Sequence, residues 1–151
     1  MKEAYFAAGS FWNAQLSFDT VHGVLATYVG YMGGIVADPS YMEVLYGVTG
    51  HVQTVKVVYD ERVVSYADLV DFFFEIHNPS MLKHASNKAL NSVLFYSDAN
   101  EKKIAQKAKA LFNIYNRYHK PALTQIRKAG TFYMAEEAHQ HFIEKSWPLF
   151  N

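Results

Sequence analysis

Cysteine is absent from the 151-residue sequence. This absence excludes disulfides, thiolate metal ligands and iron–sulfur ligation within the chain. It also excludes every mechanism in which a thiol of this chain attacks a substrate. The redox compartment stays undefined, because there is no thiol on which a compartment could act.

An excess of charge of one sign is also absent, as are long apolar runs. Lysine and arginine together number 14, as do aspartate and glutamate, so the formal net charge is zero. The basic surface of a nucleic-acid or anionic-membrane binder is therefore not expected. No apolar run approaches the roughly 20 residues of a membrane span. The first six residues, with one basic and one acidic side chain, make a poor signal peptide. We expect a soluble, cytoplasmic protein with no nucleic-acid or membrane partner.

What the sequence does contain is apolar and aromatic side chains. Half of the residues are hydrophobic and 16% are aromatic, a composition that argues against disorder. The pattern along the chain shows no internal repeat and no linker. A chain of this length can bury a core of its own, so we expect one domain over residues 1–151.

Apolar periodicity and capping residues predict alternating strands and helices. Strands are predicted at 4–8, 24–31, 52–59, 92–96 and 123–126. Helices are predicted at 11–21, 41–46, 65–77, 98–117 and 135–145. In the helix over 98–117, Ile104, Ala108, Leu111 and Tyr115 are expected to face inward. This order favours an α+β fold, a two-layer sandwich of helices on a mixed sheet.

Short motifs recur in the order of a known family. Gly9-Ser10-Phe11-Trp12 follows an apolar strand and resembles the Gly-Cys-Phe-Trp signature of methionine sulfoxide reductase A. The other similar segments are His22-Gly23-Val24, Val29-Gly30-Tyr31, Gly33-Gly34, residues 39–44, Thr49-Gly50-His51, residues 57–60, residues 73–79, Phe95-Tyr96 and residues 135–140. The sequence is identified as a divergent member of that family. The resemblance implies an α+β sandwich with a ferredoxin-like core.

The catalytic positions that the resemblance implies are altered. Ser10 occupies the position of the family's nucleophilic cysteine, and a hydroxyl cannot form a sulfenic acid. Gln53 occupies the position of the family's acidic glutamate, and an amide cannot deliver a proton. The family's loop bearing an aspartate and a tyrosine is replaced by the shorter residues 80–91, which contain no acid. His84 in that segment could supply a new general base, or it is a solvated loop histidine.

The predicted substrate-binding residues are mainly aromatic. Phe11 and Trp12 resemble the aromatic pair that receives the substrate methyl group, and Tyr31 matches a pocket tyrosine. Glu43 and His51 lie in matching segments, Tyr46 would offer a neutral hydrogen-bonding group, and these three complete the predicted binding set. The alternative is that the aromatics are ordinary core residues.

No cofactor and no metal site are predicted. His139 and His141 are two residues apart, which on a helix points their side chains about 200° from each other. They cannot share a metal as an i, i+4 pair can.

The altered residues predict that the chain is not a redox enzyme and that its aromatic pocket binds a small, methylated or methionine-like ligand. An alternative is a repurposed enzyme that performs condensation, isomerisation or hydrolysis with Ser10, His84, Tyr31 or Glu43. A distant alternative is the family's peptide-methionine (S)-S-oxide reductase, should cysteine occupy position 10 in the natural protein. The oligomeric state stays open.

Overall fold

Strands of β-branched and aromatic residues form one mixed sheet. The computed structural model describes residues 1–81, 87–116 and 118–150. The strands are β1 (Lys2–Ala8), β2 (Val24–Met32), β3 (Val52–Tyr59), β4 (Ser92–Tyr96), β5 (Gln125–Lys128) and β6 (Tyr133–Met134). Their order across the sheet is β5-β4-β1-β3-β2-β6, in which β4 and β5 are parallel and the other neighbours antiparallel. The predicted α+β fold with a mixed sheet is confirmed.

The described residues form five α-helices, four of them between strands and the last after β6. They are α1 (Phe11–Phe18), α2 (Tyr41–Leu45), α3 (Tyr66–Glu75), α4 (Ala99–Tyr115) and α5 (Phe142–Phe150). Ser40 and Ser65 begin α2 and α3 with capping boxes, in which the serine hydroxyl accepts from the backbone N–H three residues on. Asp98 begins α4 in the same way, accepting from the Glu101 N–H. None of the helices among the described residues is long and apolar enough to cross a bilayer.

The main core lies between the sheet and helices α1 and α3. The Phe6 ring of β1 is fully buried and lies 4.9 Å from Phe18 of α1 and 5.9 Å from Phe73 of α3, centroid to centroid. Truncating a buried phenylalanine of this kind to alanine costs about 3–5 kcal/mol. A smaller group of buried side chains, including Met32 and Phe95, forms a second apolar cluster. These contacts pack α1 and α3 against the central strand β1, at whose end α1 begins.

Two sequence predictions about the elements are wrong. A helix was expected over 135–145, but α5 begins only at Phe142, after a single short turn at Glu137–His139. His141 has φ of +51°, in the left-handed region, which interrupts a right-handed helix. In α4, Leu111 and Tyr115 are 46% and 81% exposed instead of facing inward. The expectation of a single domain over 1–151 stays a prediction.

Candidate functional site

Ser10 lies at the junction between β1 and α1. Gly9, at φ of +82°, occupies the left-handed region that favours glycine and turns the chain from strand into helix. Ser10 is half-buried and takes the N-cap position of α1, yet its side chain makes no capping hydrogen bond. The hydroxyl therefore lies beside the partial positive charge of a helix N-terminus without capping it.

Gln53 is bound to the same end of α1. It stands on β3 opposite Tyr31 of β2, and its side chain is buried. The amide oxygen accepts a hydrogen bond of 3.1 Å from the Phe11 backbone N–H. This bond satisfies one of the N–H groups that a helix leaves unpaired in its first turn. Gln53 therefore anchors the helix that carries Ser10.

Six rings pack together around the first turn of α1, and we call them the aromatic cluster. Its members are Phe11, Trp12, Tyr31, Tyr41, His139 and Phe142. The Trp12 ring stacks on Phe142 at 4.3 Å and on Tyr41 at 5.7 Å, centroid to centroid. Such pairs stabilise by about 0.5–1.5 kcal/mol each beyond burial of their area. The stacking holds the indole in one orientation.

The His139 imidazole fixes the Trp12 indole from its edge. The Trp12 Nε1–H donates to His139 Nδ1 over 3.2 Å. The imidazole in turn stacks on Tyr41, with centroids 4.2 Å apart. Because Nδ1 accepts this bond, it carries no proton, which fixes the tautomer of the neutral ring.

Gln140 explains why His139 lies where it does. Its side-chain amide accepts from the Val29 N–H at 2.9 Å and donates to the Val29 carbonyl at 2.8 Å, as a neighbouring strand residue would. The same amide nitrogen lies 3.0 Å from the Ala135 carbonyl. Gln140 thereby fastens the segment between β6 and α5 onto β2, with His139 next to it.

One carboxylate, Glu136, lies at the cluster. Its Oε1 accepts from the Tyr31 hydroxyl at 2.8 Å, and its Oε2 from the Tyr41 backbone N–H at 3.1 Å. Partial burial acts to raise the pKa of Glu136, but these hydrogen bonds outweigh it and hold the pKa below the ordinary value. Burial and the bond to Glu136 raise the pKa of Tyr31 well above its usual value. The pair therefore consists of an ionised carboxylate and a neutral phenol at neutral pH.

Of the three predicted binding aromatics that lie in the cluster, Trp12 keeps accessible surface. Phe11 is 1% exposed and Tyr31 is fully buried, whereas Trp12 is half-buried. Tyr41 and His139 are half-buried as well. A ligand would therefore contact the cluster at Trp12, Tyr41 and His139, because Phe11 and Tyr31 are buried beneath them.

The remaining predicted residues have other surroundings. Glu43 completes the capping box of α2 by accepting from the Ser40 N–H. The His51 imidazole bonds to the Gly34 N–H and lies 2.7 Å from the Val36 carbonyl, which holds the turn after β2. Tyr46 is 72% exposed. His84 lies outside the described residues. The roles predicted for these residues stay predictions.

Comparison with known proteins settles the family. The family model described as peptide methionine sulfoxide reductase matches residues 2–148. The chain belongs to the peptide methionine sulfoxide reductase family. It is 37% identical over 148 residues to peptide methionine sulfoxide reductase MsrA 1 of Nostoc sp., covering 96% of this chain and 91% of the relative. It is 39% identical to MsrA of Methanothermobacter thermautotrophicus, covering 96% and 88%.

Two solved structures share the fold of this chain. The crystal structure of reduced Mxr1 from Saccharomyces cerevisiae superposes with a TM-score of 0.86 at 27% identity, covering 95% of this chain and 84% of that one. Methionine sulfoxide reductase A of Corynebacterium diphtheriae gives 0.83 at 30% identity, covering 95% and 74%. The family and the fold expected from the motifs are both confirmed.

The function predicted from the sequence is wrong. The altered catalytic residues indicated a ligand-binding chain without redox activity, or else a non-redox enzyme. Relatives 37–40% identical over 96–100% of this chain are named methionine sulfoxide reductases, which points to reductase activity. The physical error was to extend one exclusion too far. Lack of cysteine excludes a sulfenic acid on this chain, but it does not exclude reduction by a thiol from elsewhere.

The sequence prediction missed Glu136 and Tyr41 as members of the site. The helix expected over 135–145 gave no reason to place the Glu136 carboxylate against Tyr31, which is 105 residues away in the sequence. The signal that could have found it is the segment over 135–140, which resembles a reductase-family segment and carries the acid. In this reductase fold the segment runs along β2 because Gln140 pairs with Val29.

Proposed function

We propose that this chain is a methionine sulfoxide reductase whose attacking thiol comes from a co-substrate. The observation that carries the proposal is the aromatic cluster with its carboxylate, which lies beside position 10 in a chain whose relatives are named reductases. The substrate class is the side chain of methionine sulfoxide, a methionine-like ligand. A cytoplasmic location suits this reaction, because the cytosol keeps thiols reduced.

The reaction balances with two equivalents of an external thiol. The thiolate sulfur of the first equivalent bonds to the sulfoxide sulfur, while the sulfoxide oxygen takes two protons and leaves as water. The second thiolate then attacks the sulfur of the first, and the electron pair of the broken S–S bond returns to the methionine sulfur. Sulfoxide and two thiols give thioether, disulfide and water.

Each part of this reaction has a candidate side chain. The accessible face of Trp12 offers an apolar surface for the methyl group and the thioether. The first turn of α1 at Ser10 supplies a positive partial charge near the incoming thiolate. Within the cluster, the hydrogen-bonded pair of Glu136 and Tyr31 is the candidate proton source, and Glu136 delivers a proton only in its protonated form.

The decisive experiment is reduction of N-acetylmethionine sulfoxide by dithiothreitol, with the thioether product measured by chromatography. We expect a rate of sulfoxide reduction above that of the protein-free blank. The rate should rise linearly with the concentration of dithiothreitol, because the chain has no thiol whose regeneration could become limiting. Absence of product above the blank would overturn the proposal.

A matched pair of variants tests whether the cluster is the site. Trp12→Ala removes the accessible ring and should abolish the protein-dependent rate. Trp147→Ala removes the other tryptophan, which is 63% exposed, and should leave the rate unchanged. Equal rates in Trp12→Ala and wild type would place the reaction elsewhere.

A further inference from the structure

Three side chains with metal-ligating atoms meet where α1 ends and α5 begins. Asp19 follows the last residue of α1, His141 directly precedes α5, and Glu144 lies in its first turn. His141 Nδ1 lies 3.3 Å from Asp19 Oδ2 and 3.7 Å from Glu144 Oε2. The three ligand atoms all lie within 4.8 Å of one another. We call this group the acid–histidine cluster.

The imidazole nitrogen at the centre of the cluster makes no hydrogen bond. The His141 side chain is 40% exposed, but its Nδ1 atom is shielded from solvent and lies at ion-pair distance from both carboxylates without hydrogen-bond geometry. Buried polar atoms are nearly always paired, so an unpaired one calls for an explanation. A cation between the three groups would satisfy the nitrogen and both carboxylates together.

Buried residues hold two members of the cluster in place. The Thr27 hydroxyl donates to Asp19 Oδ1 at 2.5 Å and leaves Oδ2 pointing at the imidazole. The Gln15 side-chain oxygen accepts from the His141 backbone N–H at 2.7 Å. Thr27 and Gln15 are 2% and 1% exposed. The bond from Thr27 orients a ligating carboxylate, as is typical of protein metal sites, whereas Gln15 fixes the backbone that carries His141.

We propose that Asp19, His141 and Glu144 bind one divalent transition-metal ion of the zinc type. Nitrogen and carboxylate ligands suit Zn²⁺, and bonds of about 2.0–2.1 Å in a tetrahedron place ligand atoms about 3.3–3.4 Å apart. Two of the three separations, 3.3 Å and 3.7 Å, come close to this spacing, and the Asp19 and Glu144 oxygens lie within 4.8 Å of each other. A cavity of about 370 Å³ lined by the same three residues leaves room for water as a fourth ligand.

The site would join α1 to α5 beside the aromatic cluster. Phe142, the neighbour of His141, is the residue that stacks on Trp12. Metal binding would therefore secure the segment that covers Trp12. This site does not depend on the proposed reductase function, since none of its ligands belongs to the aromatic cluster.

The test is calorimetric titration of Zn²⁺ into the full chain without an affinity tag. We expect one Zn²⁺ per chain, and an absorption spectrum typical of four-coordinate Co²⁺ when that ion is substituted. Glu144→Gln should weaken binding more than about 100-fold, and the half-exposed carboxylate makes misfolding of this variant a small concern. His141→Asn should do the same, since asparagine tolerates the left-handed backbone. Thr27→Val, which releases Asp19, should weaken binding about 10–100-fold.

The matched control is His22→Ala, which removes an exposed histidine outside the cluster and should leave Zn²⁺ binding unchanged. Absence of stoichiometric binding by wild type would overturn the proposal and leave a simple ion pair. Binding that survives both Glu144→Gln and His141→Asn would overturn it as well.

Discussion

Gln140 should be worth about 3 kcal/mol to the stability of this protein. Its side chain makes three hydrogen bonds, two with Val29 and one with the Ala135 carbonyl, and it is 8% exposed. A buried hydrogen bond contributes about 1 kcal/mol net, so Gln140→Leu, which keeps the size but none of the bonds, loses about three times that. In a chain of 151 residues, each kcal/mol shifts the melting temperature by about 2–4 °C. The expected drop is therefore about 6–12 °C.

Urea denaturation followed by circular dichroism measures this loss directly. The control is Gln106→Leu, an exposed glutamine of α4, whose free energy of unfolding should change by less than about 0.5 kcal/mol. The Gln140 variant should also lose the proposed sulfoxide reduction, because His139 and Glu136 are released from β2. A loss below about 1 kcal/mol would refute the reasoning, since it would mean that Val29 finds other partners.

Three further predictions concern pH and chemistry. Burial lowers the pKa of His77 to about 4, against about 6.5 in the unfolded chain, so the unfolded state binds more protons between these values and the free energy of unfolding falls as the pH drops from about 6.5 to 4. Urea titrations at pH 7 and 4.5 should show a smaller loss of stability for His77→Gln than for wild type, and an equal loss would assign the effect to another group. Ser10→Cys brings the thiol into the site, so the sulfoxide reduction rate should rise more than about 10-fold and saturate with dithiothreitol; an unchanged rate would contradict the position given to Ser10. At constant thiolate concentration, the wild-type rate of sulfoxide reduction should rise as the pH falls and Glu136 becomes protonated, whereas the rate of a Glu136→Gln variant should not change with pH. Parallel pH profiles would show that Glu136 does not supply the proton.

Local signals predicted most of the fold. Alternation along 52–59 predicted β3, and the capping boxes at Ser40 and Ser65 are visible as a serine with an acid three residues later. The helix predicted over 135–145 failed because Gln140 bonds to Val29, 111 residues away, and such a partner leaves no local trace. The inward face predicted for α4 failed at Tyr115, because periodicity does not show where the neighbouring helix ends.

The candidate site was predictable only as far as motifs carried it. The resemblance brought Ser10, Trp12 and Gln53 together, and the structure places them around one helix end. Sequence spacing gave no reason to join Asp19 to His141, and it treated His141 only as a neighbour of His139. Groups assembled from distant segments depend on tertiary packing, which spacing does not encode.

The loss of a thiol at position 10 need not disturb the binding geometry of the site. Stacking on Phe142 orients the Trp12 indole, and a hydrogen bond to His139 anchors it. Gln140 holds the segment that carries His139 onto β2. None of these contacts involves residue 10. What the substitution removes is proximity, because a well-oriented intramolecular nucleophile acts at an effective concentration of about 10⁵–10⁸ M. A thiol from solution at millimolar concentration would attack far more slowly, but the contacts that orient Trp12 would stay the same. If the chain reduces sulfoxides as proposed, its rate should therefore follow the concentration of thiol in solution.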